Sequence, residues 1–212
     1  GYATPPNGRP LCCGRTYLAS GLVDQAKAEM RRSINMIQPV LEASGTLIGL
    51  EPSCLLTFRD EVPRLIPDWD ESLGSRVMLF EEYLAGALED GSLNLPLGEI
   101  GNRALLHGHC HQKAQNVLTP TERLLARIPG LTVETIETSC CGMAGAFGYQ
   151  AETAEVSRKM AELDLLPAIR DADEATLIVA DGTSCRHQIA DGTGRRAMHA
   201  AEVLAMSVEA AR

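Results

Sequence analysis

The sequence has few aromatic residues, a deficit of positive charge and no long apolar run, and each shortage excludes a class of function. Phe, Tyr and Trp make up 4% of the 212 residues, and 19 Lys and Arg stand against 28 Asp and Glu, for a net charge of −9. Binding of nucleic acid needs a concentrated basic surface or stacking rings, so we do not expect it. Apolar runs of about five residues are too short for a transmembrane helix. The N-terminal residues lack the pattern of a secretory signal, so we expect a cytoplasmic protein.

Cysteine, by contrast, is abundant, with seven residues in the chain. An odd number cannot pair completely within one chain. Cys12-Cys13 and Cys140-Cys141 are adjacent in sequence, and a disulfide between neighbours strains the peptide that joins them. Metal ligation or redox chemistry therefore explains these thiols better than structural disulfides. The seven are Cys12, Cys13, Cys54, Cys110, Cys140, Cys141 and Cys185.

Helical and strand patterns alternate along the chain. Apolar residues spaced by three and four predict helices over 22–43, 55–60, 76–88, 119–127, 151–170 and 198–210. Short apolar runs predict strands over 46–50, 103–107, 131–136 and 175–180. This alternation favours an α/β fold with mostly parallel sheets. The cysteines follow the predicted strand ends, which is where ligand sites gather in open parallel sheets.

The order of elements repeats within the chain. A Cys-Cys-Gly segment, a helix, a strand and a segment ending in Ser-Cys occur once over 12–54 and again over 140–185. The second cysteine of the pair and the last cysteine are 41 positions apart in the first copy (13 to 54) and 44 in the second (141 to 185). Only the second copy is preceded by a strand with its own cysteine. We therefore predict two pseudo-symmetric Rossmann-like units, 1–91 and 92–212, the first truncated at its N-terminus, and expect a longer parent polypeptide.

The cysteines of the second unit form the better candidate metal site. Cys110, Cys140, Cys141 and Cys185 offer four thiolates, which suit tetrahedral zinc or an iron–sulfur cluster. The spacing lacks the paired C-x2-C segments of common zinc ribbons, and adjacent thiolates reach different irons of a cluster more easily than one small ion. An iron–sulfur cluster is therefore favoured, with buried cysteines packed as small hydrophobic groups as the alternative. The first unit offers only three thiols, Cys12, Cys13 and Cys54, for a second, incomplete site.

Polar residues beside these cysteines are candidate supporting groups. His109 and His111 flank Cys110 and could ligate a metal or donate hydrogen bonds to sulfur, or could be ordinary loop histidines. Gly142 would let the backbone approach a cluster closely. Lys113 and Arg186 could offset the charge of a thiolate-bound cluster, or be solvated surface charges. His107 and His199 are expected to pack structurally, and the sequence indicates no catalytic residue.

With these motifs the sequence resembles the cysteine-rich CCG domain family, which includes the cysteine-rich subunit of heterodisulfide reductase and the iron–sulfur subunit of glycolate oxidase. The resemblance is greatest to the C-terminal region of fused FAD-linked dehydrogenases that act on D-2-hydroxy acids. It covers essentially the whole chain. The motifs are Cys-Cys-Gly at 12–14, Glu-Pro-Ser-Cys at 51–54, His-Cys-His-Gln-Lys at 109–113, Ser-Cys-Cys-Gly-Met-Ala-Gly at 139–145 and Gly-Thr-Ser-Cys at 182–185.

The resemblance implies an electron-transfer region of a larger oxidoreductase, inactive as a fragment, with an air-sensitive 4Fe-4S cluster. FAD in the parent polypeptide or complex would oxidise D-lactate, D-2-hydroxyglutarate or glycolate. Electrons would pass to a quinone or a soluble carrier, with peripheral association at the inner membrane through that acceptor. Glu51 and Gly182 stand where the family pattern has a further cysteine, which argues for four ligands rather than five. A structural zinc-binding interaction domain and a heterodisulfide or thiol redox catalyst remain the alternatives.

Overall fold

Two parallel β-sheets organise the chain, whose computed structural model describes residues 10–43 and 45–212. The smaller sheet pairs β1 with β2, and the larger has the order β4-β3-β5-β6, with every neighbouring pair parallel. This arrangement confirms the expected α/β class and is consistent with a Rossmann-like fold. The strands are β1 (Leu47–Gly49), β2 (Val77–Leu79), β3 (Arg103–His107), β4 (Thr132–Thr135), β5 (Leu177–Ala180) and β6 (Ala197–Met198).

Helices connect and cover the strands, as parallel pairing requires. None of the helices in the described ranges is both long enough and apolar enough to cross a membrane. Short 3-10 segments lie at Leu56–Phe58, Glu71–Arg76 and Phe147–Tyr149. The α-helices are α1 (Arg15–Ala19), α2 (Val23–Glu42), α3 (Pro52–Leu55), α4 (Glu61–Leu65), α5 (Phe80–Glu89), α6 (Cys110–Ala114), α7 (Thr119–Leu125), α8 (Ala154–Ala161), α9 (Leu165–Arg170), α10 (Thr183–Thr193) and α11 (Ala200–Ala210).

The larger sheet divides its apolar side chains between two faces. Leu105 and Ile178 belong to the core cluster that includes α9, while Leu106 and Val179 belong to the cluster that includes α7 and α11. This alternation follows from the two-residue period of a strand. A third cluster surrounds the small sheet and buries residues of α2. Each fully buried Leu or Ile in these clusters stabilises the fold by about 1.5–3 kcal/mol.

Two β-α segments, one in each predicted unit, begin their helix with the same hydrogen bond. The Glu82 carboxylate accepts a hydrogen bond from Leu79 N (2.9 Å) at the start of α5, and Glu202 accepts one from His199 N (3.2 Å) at the start of α11. Both bonds satisfy an amide that precedes the first helical turn. Helix α5 also packs against α7 and α11. The boundary between residues 91 and 92 remains a prediction.

Two predicted helices are wrong in part. The segment 76–88 was expected to be one helix, but Val77–Leu79 form β2 and the helix begins at Phe80. Val77 and Leu79 are buried and pair with β1, so the pairing overrides the helical spacing. The segment 151–170 forms α8 and α9 with a turn between them rather than one continuous helix.

Three further boundaries differ from expectation. Helix α10 follows β5 directly, although no helix was predicted there, because its eleven residues include Gly192 and carry no regular apolar stripe. Strand β6 takes Ala197–Met198, so the last helix begins at Ala200 rather than 198. The predicted helix over 55–60 is replaced by α3 and the 3-10 turn that follows it.

Candidate metal centre

The four candidate cysteines of the second unit meet at the carboxyl edge of the larger sheet. Cys110 begins α6 directly after β3, and Cys185 lies in the first turn of α10 after β5. Cys140 and Cys141 lie in the loop that follows β4. Because the strand order reverses at β3, with β4 on one side and β5 on the other, crossover connections leave on opposite faces there. This switch point is where doubly wound sheets bind ligands.

The four thiols form one continuous row. Hydrogen bonds from Cys110 and then Cys141 lower the pKa of Cys140. The interaction with Cys141, then the one with His107 and the charge of the His107 and His109 rings, lower the pKa of Cys185 against the effect of its burial. Cys110 and Cys141 donate these hydrogen bonds, and this, together with burial, raises the pKa of both thiols. The row therefore runs from Cys110 through Cys140 and Cys141 to Cys185.

The row leads from a cavity into the protein core. Cys141 and Cys185 are 4% and 2% exposed, whereas Cys110 and Cys140 are half-buried. The outer end borders a cavity of about 470 Å³. Residues of both predicted units line this cavity, among them Arg15, Ser53, Glu61, His111, Cys110 and Cys140. A molecule in the cavity would therefore reach the outer two sulfurs first.

Glycine after each cysteine pair makes the local turn possible. Gly142 has φ 88°, and a Cβ there would lie 2.2 Å from Ser157 O of α8. Its amide donates to Cys140 Sγ at 3.3 Å. The same contact occurs at the first pair, where Gly14 N donates to Cys12 Sγ at 3.4 Å with φ 77°. A left-handed residue packed this closely against a helix has to be glycine.

The two histidines beside Cys110 face different groups. His109 Nδ1 accepts a hydrogen bond from His111 N (3.1 Å), and its Cδ2 edge lies against Gly182, where a Cβ would be 3.1 Å from both His109 Nε2 and Cys185 Sγ. His111 Nδ1 instead lies 3.4 Å from the Arg15 guanidinium. Burial, then the charge of Arg15, lowers the pKa of His111 to about 4. His109 thus lies beside sulfur, and His111 faces the cavity.

The two candidate cations differ in their surroundings. Lys113 donates to Thr138 O, and burial lowers its pKa while the neighbouring Cys110 and Cys140 act in the opposite direction. Arg186 donates to the carbonyl groups of Ala180 (2.9 Å) and Asp181 (2.6 Å). Lys113 is therefore close to the thiols, whereas Arg186 is occupied by the backbone that leads into α10.

The structure brings two residues to the site that sequence reasoning did not place there. A His107 ring nitrogen lies within 4.8 Å of the sulfurs of Cys141 and Cys185, although His107 was expected only to pack. Arg15 bonds Glu61 and Thr57 and approaches His111 across the cavity. The position of His107 at the end of β3, three residues before Cys110, was the available signal for it.

The thiols of the first unit are arranged differently. A hydrogen bond from Cys54 lowers the pKa of Cys13 to about 7, so these two are neighbours. Cys13 is buried and Cys54 exposed. Within the ranges that the structure describes, no mutually close group of three metal-binding side chains includes Cys12, Cys13 or Cys54, and none includes Cys110 or Cys140 either. An incomplete site there remains a prediction.

The donor atoms of the second unit fit a thiolate-bound metal centre. Each of the four thiols interacts with at least one other, and the Gly142 amide donates to Cys140 Sγ. Thiolates held this way suit an iron–sulfur cluster or zinc. The assignment of Cys110, Cys140, Cys141 and Cys185 as its ligands remains a prediction.

A parallel α/β sheet with a row of thiols at its switch point defines a cysteine-rich α/β domain. The family model of the cysteine-rich domain CCG matches residues 104–190, which contain all four of these thiols. The match covers less than half of the chain and agrees with the resemblance that the motifs indicated.

The chain is similar to a dehydrogenase subunit, a dehydrogenase and a protein of lactate utilization. One subunit of the anaerobic glycerol-3-phosphate dehydrogenase from Escherichia coli is 28% identical over 93% of this chain and 49% of its own length. D-2-hydroxyglutarate dehydrogenase from Pseudomonas putida is 31% identical over 93% of the chain and 18% of its own length. Lactate utilization protein A from Bacillus subtilis is 28% identical over 94% of the chain and 84% of its own length.

The chain matches only part of the length of the first two relatives. The chain spans about half the length of the glycerol-3-phosphate dehydrogenase component and less than a fifth of the D-2-hydroxyglutarate dehydrogenase. No solved structure is significantly similar to the chain.

Proposed function

We propose that this chain is the iron–sulfur electron-transfer region of a larger, FAD-linked oxidoreductase that oxidises a 2-hydroxy acid. The observation that carries the proposal is the continuous row of four thiols at the switch point of a CCG domain. The relatives' names support redox chemistry in general. D-2-hydroxyglutarate and lactate are 2-hydroxy acids, whereas glycerol 3-phosphate is a secondary alcohol without a carboxylate. The names of the D-2-hydroxyglutarate dehydrogenase and the lactate utilization protein therefore favour a 2-hydroxy acid as the substrate.

In this proposal Cys110, Cys140, Cys141 and Cys185 hold a 4Fe-4S cluster. Such a cluster, when bound, accepts and releases single electrons without breaking a bond to its ligands. Cys141 and Cys185 exclude water from its inner side because they are buried. The Gly142 amide and the Lys113 ammonium stabilise negative charge on the outer side, which raises the reduction potential.

Electron partners would approach through the cavity, since the two outer sulfurs border it. A flavin domain of the same parent polypeptide or complex would deliver the electrons, and a quinone or a soluble carrier would accept them. We place the protein in the cytoplasm, with contact to the inner membrane only through its acceptor.

Anaerobic reconstitution with iron and sulfide tests the proposal directly. The wild-type chain should take up iron and sulfide together, absorb in the visible range and give an electron paramagnetic resonance signal on reduction. Cys140→Ser and Cys185→Ser should each lose most of the bound iron. Cys54→Ser is the matched control, because it removes an exposed thiol of the other cysteine group, and it should keep the visible absorption and the electron paramagnetic resonance signal of the cluster.

Other outcomes would contradict the proposal. Stoichiometric zinc without sulfide, with unfolding on chelation, would identify a structural zinc domain instead. Exchange with a small disulfide by the metal-free chain, lost in Cys141→Ser, would identify a thiol redox catalyst.

A further inference from the structure

The polar side chain of His107 is buried in the protein, away from water. His107 is the last residue of β3, 1% exposed, after three buried apolar residues. Neither of its ring nitrogens makes a hydrogen bond of ordinary geometry to a described residue, although the ring interacts with the Cys185 thiol. A buried donor or acceptor left without a partner destabilises the folded state. A ligand that occupies one of these nitrogens would remove much of that destabilisation.

The neighbours of His107 identify the kind of ligand. One of its ring nitrogens, Cys141 Sγ and Cys185 Sγ all lie within 4.8 Å of one another, and all three residues are buried. A metal forms bonds of about 2.3 Å to sulfur and about 2.0–2.1 Å to nitrogen. Two ligand atoms of one metal therefore lie within the separation that these three atoms show. The three atoms can therefore bind a common metal centre without a large rearrangement.

The other two histidines of this segment are committed elsewhere. His109 Nδ1 uses its lone pair to accept from His111 N, which places the proton of the neutral ring on Nε2. A protonated Nε2 has no free lone pair and Nδ1 already accepts from His111 N, so neither nitrogen of His109 is free to bind a metal. His111 Nδ1 faces the Arg15 guanidinium at the cavity. Of these three, only His107 has neither ring nitrogen in a hydrogen bond of ordinary geometry to a described residue.

We propose that His107 is a fifth protein ligand of the iron–sulfur centre, bound through one ring nitrogen beside Cys141 and Cys185. The inference rests on the proposed function and adds a ligand that the cysteine motifs do not predict. Because a neutral imidazole brings no negative charge, it favours a higher reduction potential than a thiolate in the same place. The centre would thus be bound by His107, Cys141 and Cys185 on its buried side. Cys110 and Cys140 would bind it on the side of the cavity.

The test uses the full chain, produced in cells that are supplied with 15N-labelled histidine. The purified protein is then reconstituted anaerobically with iron and sulfide. Electron–nuclear double resonance of the reduced wild type should show a nitrogen bonded directly to iron. His107→Asn should lose this coupling and retain less iron. The matched control is His187→Asn, an exposed histidine that bonds Tyr149 (2.7 Å), and it should keep both the coupling and the iron content.

A second variant separates ligation from misfolding. His107→Cys offers a thiol at the same position, so we expect iron close to the wild-type content, no nitrogen coupling and a lower midpoint potential. A loaded wild type without a bonded nitrogen, or a coupling that persists in His107→Cys, would overturn ligation by His107 alone. A wild type that takes up no iron and sulfide would overturn the proposed function together with this inference.

Discussion

At the residue scale, the backbone of Gly142 controls how the cysteine pair meets the sheet edge. Its left-handed conformation turns the chain directly after Cys141 and brings the amide onto Cys140 Sγ. The carbonyl of Ser157 fills the place that a Cβ would need. Gly14 repeats this arrangement against Ala26 O, where a Cβ would lie at 2.8 Å. The glycine of each Cys-Cys-Gly motif is therefore fixed by sterics as well as by conformation.

Gly142→Ala should lower the free energy of unfolding by about 2–4 kcal/mol, as measured by urea denaturation. The left-handed φ and the 2.2 Å approach to Ser157 O both contribute. Gly21→Ala is the matched control, because Gly21 has φ 73° but no atom within 4 Å of the added Cβ. That control should lose about 1 kcal/mol. Equal losses in the two variants would show that the close contact adds nothing.

The residue scale also shows what a motif leaves undecided. The sequence places His107, His109 and His111 around one cysteine, but it cannot assign them different tasks. Those tasks depend on which neighbour each ring meets: buried sulfurs, the backbone of α6 or the guanidinium of Arg15. Each of those neighbours comes from another element or from a local turn, so the tertiary structure decides.

At the element scale, a helix side chain fixes the backbone of each cysteine pair. Ser33 of α2 donates to Cys12 O (2.8 Å) and accepts from Cys12 N (3.2 Å). Gln188 of α10 donates to Cys141 O (2.9 Å) and Ser157 O (3.1 Å). These buried bonds hold the loop against a rigid helix, which keeps the sulfurs in place.

Gln188→Leu should lower the free energy of unfolding by about 1–3 kcal/mol, since it leaves buried carbonyl groups without a donor. Iron retention after reconstitution should fall as well, because Cys141 is no longer held. The exposed Gln150 offers a control of the same chemistry, and Gln150→Leu should change stability by less than about 0.5 kcal/mol. Unchanged stability in Gln188→Leu would mean that the loop is held by other contacts.

The elements differ in how well the sequence predicts them. β3 and the strand over Leu177–Ala180 were expected near their observed bounds, because continuous apolar runs are typical of strands buried on both faces. β2 was not, because three residues of strand carry no period of their own and pairing with β1 selects the conformation. α10 was missed because it forms a core contact mainly through Cys185, Gln188 and Ile189 rather than a full apolar stripe.

At the scale of the whole molecule, a buried polar cluster combines residues of the two predicted units, 1–91 and 92–212. Glu81 of α5, Asp181 after β5 and His199 before α11 bring ligand-type atoms within 4.8 Å of one another. His199 also contacts Leu50 O through Nε2 (2.8 Å), and Asp181 accepts from Gln112 Nε2 (2.8 Å) of the cysteine-bearing α6. Both Glu81 oxygens are buried without a hydrogen-bond partner among the described residues. This cluster links the small sheet to the helix that begins with Cys110.

Burial, and then the charge of Asp181, raises the pKa of Glu81 to about 9. The unfolded chain releases this proton near pH 4.5, so the folded state binds the extra proton between those values. Stability should therefore be fully present below pH 4.5 and fall as pH rises towards 9. Glu81→Gln removes the titration and should stabilise the protein at pH 7 by up to about 3 kcal/mol.

Urea denaturation at pH 5, 7 and 9 checks this expectation. Glu99→Gln is the control, since Glu99 is exposed and the variant should keep the pH dependence of the wild type. A pH dependence in Glu81→Gln as steep as in the wild type would show that Glu81 is ionised in the folded protein at neutral pH.

The sequence alone determined the α/β class, the internal repeat and the four cysteines of the candidate centre, because these depend on local periodicity and on residue identity at fixed spacings. It also predicted that the cysteines follow strand ends. The tertiary structure decided the rest: the strand order that places Cys110 and Cys185 at the switch point, the cavity beside Arg15 and the approach of His107 to two sulfurs. These features join residues from distant segments, and only packing of the sheet and its helices brings such segments together.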